Sequence, residues 1–292
     1  MRVLVIGGTG FIGSHVVRQL ISGNHIVAIY HRGLTQSPPP RDVLQIINPD
    51  STAPIQKFPN SLLNFKPDAV IHTVAMGATD AQSSVLAFSG HTGRLVLLSS
   101  GDVYRAYGRF IKLEPGPVEA GLLSEDSPLR TTLFPYRAQA SSPDSLQHWY
   151  EKILAERAVL SDPNLPAAIL RLPKVYGPGG NAELATVYQH RNHPDWRWTH
   201  GYVENVAHAI VLATTHPHAG NRIYNVGEAY TPTIAERLAS LPASNIEPSL
   251  NSHFNFAQNL AYTTARIRKE LGYQEIVPEE EAALKTLKLK ST

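Results

Sequence analysis

The chain has 292 residues, 42% of them hydrophobic, a formal net charge of +2 and no cysteine. That length can bury a full α/β core with room for one small appended lobe. The lack of cysteine excludes disulfides, thiolate catalysis and cysteine-ligated zinc. No apolar run approaches the roughly 20 residues of a membrane-spanning helix, and the near-neutral charge gives no electrostatic case for nucleic acid or a membrane surface.

Residues 3–6, Val-Leu-Val-Ile, are too few and too β-branched for a helix and read as a buried strand. They run into Gly7-Gly8-Thr9-Gly10-Phe11-Ile12-Gly13, and an amphipathic segment over 11–21 follows at once. A strand, a tight glycine turn and a helix in that order form a dinucleotide site. The glycines let backbone approach a pyrophosphate, and the helix N-terminus offers free N–H groups and a positive dipole end. Gly7, Thr9, Gly10, Phe11, Ile12 and Gly13 are the expected cofactor contacts. Because the chain opens in a core strand, we expect no cleavable signal and a cytoplasmic protein.

Further strands are expected at 25–30, 43–47, 69–72, 95–98 and 167–172, and helices at 11–21, 80–88 and 146–160. The alternation predicts an α/β fold, a doubly wound parallel sheet of Rossmann type, with ligands beyond the carboxyl ends of its strands. The stretch 108–145 is rich in Pro and Gly with no clear period, and a loop of that length is functional or mobile. The dinucleotide-binding domain is therefore placed at 1–172. A smaller substrate-facing lobe, partly interleaved with it, spans 173–292, with a helix near 203–215, a strand near 222–226 and short helices beyond. Glu279, Glu280 and Glu281 ahead of Lys285, Lys288 and Lys290 suit the two ends of a terminal surface helix. Pro38-Pro39-Pro40 is the sole low-complexity tract.

The second strand ends without a carboxylate for a ribose hydroxyl. Arg32 stands there instead, a permanently charged fork suited to a 2′-phosphate, so NADP is favoured and NAD is the alternative. Asn48 and Asp50, after the third strand, are candidates to reach the adenine. His190 and His193 lack a third ligand at metal spacing, and no metal is expected.

Several segments, taken with the glycine turn, resemble the extended short-chain dehydrogenases/reductases, the group of nucleotide-sugar epimerases and dehydratases. They are Ser99-Ser100-Gly101-Asp102-Val103-Tyr104, Leu123-Ser124-Glu125-Asp126-Ser127-Pro128, Lys152-Ile153-Leu154-Ala155-Glu156, Arg171-Leu172-Pro173-Lys174-Val175-Tyr176-Gly177-Pro178-Gly179, Gly201-Tyr202-Val203-Glu204-Asn205-Val206-Ala207 and Tyr224-Asn225-Val226-Gly227. They follow the family's order over most of residues 1–230. The resemblance implies an NAD(P)-dependent epimerase, dehydratase or reductase acting on a small hydroxyl- or carbonyl-bearing substrate, with a nucleotide sugar as one candidate. It implies that Ser100 holds the reacting oxygen, that Lys152 binds the nicotinamide ribose, and that Pro173 lies against the cofactor.

Two positions depart from the family's pattern. The residue four before Lys152 is His148 where the family has its acid/base tyrosine, and Tyr150, two before Lys152, would face about 200° away on a continuous helix. The family's asparagine before the fifth strand is missing from residues 75–93. The chain therefore reads as an atypical member lacking the usual catalytic tyrosine, with His148 or Asp102 handling protons. Asp102 matches an acidic position of the family's dehydratases. Arg197, Trp198 and His200 are candidate substrate contacts. The rival reading is a catalytically degenerate dinucleotide-binding protein with a regulatory role or an association with RNA, as in the chloroplast stem-loop RNA-binding relatives. A homodimer is left open.

Overall fold

The computed structural model describes residues 1–35, 39–181, 184–249 and 253–288. Pro38 and Lys290, which figured in the sequence reading, lie outside the described residues. In chain order the first elements are β1 (Arg2–Ile6), α1 (Phe11–Ser22), β2 (Ile26–His31), β3 (Leu44–Ile47), β4 (Ala69–His72), α2 (Ala78–Phe88) and β5 (Arg94–Ser100). Then come α3 (Arg105–Phe110), α4 (Leu146–Trp149), α5 (Lys152–Leu160), β6 (Ala167–Leu172) and β7 (Lys174–Tyr176). The C-terminal part holds α6 (Ala185–Gln189), β8 (His200–Tyr202), α7 (Val203–Thr215), β9 (Arg222–Asn225), α8 (Ile234–Ala239), α9 (Ala265–Leu271) and α10 (Glu279–Lys288).

Seven strands form one parallel sheet in the order β3-β2-β1-β4-β5-β6-β9. The strand order reverses direction between β1 and β4, which opens a crevice beyond their carboxyl ends. Side chains alternate across the pleat. Val3, Val5, Ile29, Ile71, Val96 and Leu170 share one core with α1 and α7. Leu4, Ile6, Val70, Leu95, Leu97 and Ile169 share the other with α2 and α5. The central strands are buried on both faces, which is why they read as continuous apolar runs. Each such side chain contributes about 1.5–3 kcal/mol of transfer free energy.

The expected doubly wound sheet is therefore present, with strand ends within two residues of those expected. The boundary at 172 does not cut the molecule cleanly, because β9 is an edge strand of the main sheet. What lies outside that sheet is the two-stranded pair β7–β8 and a third core around Phe110, Trp196, Tyr202 and Tyr262. Residues 108–145 carry the end of α3 and a single turn over Arg137–Gln139, so they are not featureless. The terminal helix forms as expected, with an ion pair from Lys285 to Glu281 at 3.0 Å. No helix among the described residues is long and apolar enough to cross a membrane.

The continuous helix expected over 146–160 is corrected. It is two helices, α4 and α5, separated by the extended residues Tyr150 and Glu151.

Candidate functional site

A cleft of about 380 Å³ lies beyond the carboxyl ends of β1, β2 and β4, with Gly7, Thr9, Gly10, Arg32, Ser51 and Trp149 in its wall. α1 starts at its floor. Gly10 is the N-cap, and no side chain caps that end, so the first-turn N–H groups of Phe11, Ile12 and Gly13 have no intrahelical acceptor. A Cβ on Gly13 would sit 2.3 Å from the Gly7 carbonyl oxygen, so only glycine lets the helix start this close under the β1 turn. An uncapped helix start beneath a glycine turn is the donor set that a pyrophosphate needs. The residues present fit a dinucleotide.

Arg32 is exposed at the end of β2, on the cleft wall. Asn48 does not reach the cleft. Its amide donates to the Tyr30 hydroxyl at 2.9 Å, and the wall after β3 is built by Ser51, Thr52 and Ala53, with neither Asn48 nor Asp50 taking part. Pro173 is buried between β6 and β7, packed toward Gly201 and Gly227, and is not part of the cleft wall.

Ser100 ends β5, at the carboxyl edge of the sheet. Its hydroxyl accepts from the Asp102 N–H at 3.3 Å, which fixes the single turn that follows. Asp102 is thereby held, 5% exposed, with its carboxylate turned inward. Two phenols donate to the same oxygen, Oδ2: Tyr150 at 2.8 Å and Tyr136 at 3.0 Å. Oδ1 is buried and has no partner among the described residues. Burial raises the Asp102 carboxyl above its ordinary range, against the opposing pull of Tyr150, Arg130 and Lys152. Tyr150 and Ser100 are both tied to Asp102, the phenol to its carboxylate and the serine hydroxyl to its N–H. Burial and the neighbouring Asp102 charge push the Tyr150 phenol well above the usual value.

The expectation that Tyr150 faces away from the site is overturned. It assumed a continuous helix, and the chain is extended at Tyr150–Glu151. Three features hold that break. The Glu151 N–H donates to the Met76 carbonyl at 2.9 Å. The Glu151 side chain caps α5, accepting from the Ile153 N–H at 2.9 Å, and also accepts from the Phe134 N–H at 2.5 Å. Arg130 closes the arrangement with a fully buried ion pair to Glu151 at 3.0 Å, while its Nε donates to the Asp102 carbonyl at 2.5 Å. Gly77 leaves the room, since a Cβ there would stand 2.8 Å from the Trp149 carbonyl oxygen. One guanidinium therefore ties the backbone of Asp102 to the residue after Tyr150.

Lys152 starts α5 and is buried. Its ammonium donates to the carbonyls of Ala75 at 2.5 Å and Leu98 at 2.9 Å, at the ends of β4 and β5, and lies 5.7 Å from the Tyr150 ring centre. Burial lowers its pKa to about 8, with Asp102, Asp80 and Glu156 acting to raise it. Ser100, Asp102 and Lys152 are thus brought together, with Tyr150 among them. His148 is not: it sits half-buried on α4, its carbonyl accepts from Arg137 at 2.9 Å, and its ring bonds to none of the three. Of the candidate substrate contacts, Arg197 is occupied by the Thr231 carbonyl at 2.6 Å and the Tyr230 hydroxyl at 3.0 Å. His200 is buried, with Nδ1 2.7 Å from the Trp198 carbonyl. No three potential metal ligands cluster among the described residues.

Tyr136, Tyr107, Arg130 and Glu151 were missed by sequence reasoning, and Tyr150 was considered but placed facing away. No local pattern marks them, because the break at Tyr150 depends on Met76, Gly77 and Arg130, far away along the chain.

The fold recurs in known proteins. A dTDP-glucose 4,6-dehydratase from Bacillus anthracis in complex with NAD matches with a TM-score of 0.71 at 16% identity, over 100% of this chain and 96% of that one. A UDP-glucose 4-epimerase from Thermus thermophilus, also complexed with NAD, gives 0.66 at 21% identity over 98% and 97%. Among curated proteins, a 2′-dehydrokanamycin reductase from Streptomyces kanamyceticus is 27% identical over 186 residues. That match spans 63% of this chain but only 45% of the reductase. The family model for the NAD dependent epimerase/dehydratase family matches residues 3–227, and the chain belongs to that family.

Proposed function

We propose that this chain is an NAD(P)-dependent oxidoreductase that interconverts a hydroxyl and a carbonyl on a small, sugar-like substrate. The observation that carries the reading is the convergence of Ser100, Asp102, Tyr150 and Lys152 at the carboxyl edge of the sheet, beside the dinucleotide cleft. The dinucleotide, when bound, supplies or accepts the hydride. Ser100 holds the reacting oxygen by its hydroxyl. Tyr150 takes the position beside Ser100 that spacing alone had offered to His148, and Asp102 carries the proton behind it. Lys152 spends two of its three N–H bonds on backbone carbonyls, leaving one for a ribose hydroxyl.

Arg32, which makes no hydrogen bond among the described residues, favours NADP through charge-assisted contacts to a 2′-phosphate. A sugar-like ketone or alcohol is supported by what the similar proteins are named for: a dehydrokanamycin, UDP-glucose and dTDP-glucose. Ser100→Ala and Asp102→Asn should each lower turnover by a factor on the order of 10² or more while dinucleotide affinity is kept. Unchanged rates in both variants would overturn the assignment.

A further inference from the structure

The site holds more acidic hydroxyl and carboxyl groups than a serine, a phenol and a lysine require, and they are connected. Tyr136 spends its single proton on Asp102 Oδ2 at 3.0 Å. The same hydroxyl lies 3.0 Å from the Tyr107 hydroxyl; it has one proton for the two contacts, so while Asp102 is ionised and takes it, Tyr107 donates to Tyr136. The result is an unbroken line from half-buried Tyr107 through Tyr136 and Asp102 to Tyr150.

We propose that this line, Tyr107–Tyr136–Asp102–Tyr150, is the proton path to the reacting oxygen, with Tyr150 as the group that meets substrate and Asp102 as the proton store behind it. The proposal rests on the oxidoreductase reading given above. In the reducing direction a dinucleotide held at the glycine turn would supply the hydride for the new C–H bond as the carbonyl π bond breaks. With Asp102 protonated on Oδ2, that oxygen donates to Tyr150 and frees the phenol proton: the substrate oxygen takes the Tyr150 proton, Tyr150 takes the Asp102 proton, and Asp102 is resupplied through Tyr136 and Tyr107. One hydride and one proton are consumed per carbonyl reduced, and oxidation runs the same transfers backwards.

Two observations favour this path over one through Lys152. Both carbonyls at the ends of β4 and β5 pin the ammonium in place. Asp102, in turn, meets both phenols through the one oxygen Oδ2, so a proton held there lies between Tyr136 and Tyr150, while the buried Oδ1 has no partner among the described residues to draw it away. The groups facing Asp102 are Tyr136, Tyr150, Tyr107, Tyr262, Arg130 and Lys152. The two cations draw its titration down and burial drives it up.

The test has two arms. Carbon NMR of protein labelled at the aspartate γ-carbon, with the signal assigned by its loss in Asp102→Asn, should show a carboxyl titrating above the ordinary range. Its midpoint should rise again in Tyr136→Phe, because a donor to the carboxylate has gone. In the second arm, NADPH oxidation is followed with phenanthrenequinone as probe carbonyl. There Tyr150→Phe should lose about 10²–10⁴-fold in kcat, and Tyr136→Phe at least about tenfold, with KM and NADP⁺ affinity unchanged. A normal Asp102 titration that Tyr136→Phe does not move would overturn the proposal. So would full kcat in Tyr136→Phe beside an inactive Tyr150→Phe. If the NMR signature is present while the wild type binds NADPH and reduces no carbonyl, the proton line stands and the oxidoreductase reading is what fails.

Discussion

Glu151→Ala is the most informative single change to the scaffold of the site. The carboxylate accepts from Arg130 Nη2 at 3.0 Å and Nη1 at 3.3 Å, from the Phe134 N–H at 2.5 Å and from the Ile153 N–H at 2.9 Å. Both members of the ion pair have side chains with 0% exposure. Removing one partner of a buried pair costs about 3–5 kcal/mol, because the remaining charge is left unpaired. Losing an N-cap costs about 1 kcal/mol. The same carboxylate serves both purposes, so the two figures overlap, and a loss of about 4 kcal/mol is expected. Set against a typical stability of about 5–15 kcal/mol, that is a large fraction. The double variant Arg130→Met, Glu151→Gln leaves no buried charge and should recover most of the loss. Even so, Arg130 no longer ties Asp102 to Glu151, so turnover should stay low while dinucleotide affinity survives. Urea unfolding of the wild type, Glu151→Ala, Arg130→Met and the double variant measures this directly. A single-variant cost below about 1 kcal/mol, or a double variant as unstable as the two singles combined, would refute the argument.

Arg32→Ala should weaken NADP⁺ binding by roughly ten- to a hundredfold, from the loss of charge-assisted hydrogen bonds of about 1.5–3 kcal/mol, and leave NAD⁺ binding unchanged in calorimetric titration. His72 is fully buried beside Ser84, at 2.8 Å from its hydroxyl, and burial followed by the Lys152 charge lowers its pKa to about 3. The unfolded chain protonates this ring near its ordinary value and the folded chain does not, so its contribution is complete above about pH 6.5 and is lost as pH falls toward 3. Unfolding free energy should drop by about 2 kcal/mol between pH 6.5 and 5 from this group, and His72→Gln should flatten that slope.

The parallel sheet could be read from the chain because each central strand is a short apolar run followed by a turn, and the glycine turn after β1 has few structural alternatives. Ser100, Asp102 and Lys152 could be placed for the same reason: strand ends and the family's segments locate them without tertiary information. Tyr150 could not. Residues 146–160 carry nothing that breaks a helix locally, and the break is imposed from outside, by the Met76 carbonyl, the space at Gly77 and the Arg130 guanidinium. Tyr107 and Tyr136 lie at either end of a stretch whose proline and glycine content hides its packing, so their approach to Asp102 emerges only in three dimensions. Asn48 misled for a related reason. Its position after β3 is right for adenine, yet its amide is taken by the hydroxyl of Tyr30.

The measurement that bears most directly on the central claim is a side-by-side calorimetric titration of the purified chain with NADP⁺ and NAD⁺. Saturable binding of a dinucleotide, tighter for NADP⁺, is the expected result and justifies screening sugar-like ketones and alcohols as substrates. No heat of binding from either one at millimolar concentration would contradict the claim, leaving the glycine turn as a packing device alone.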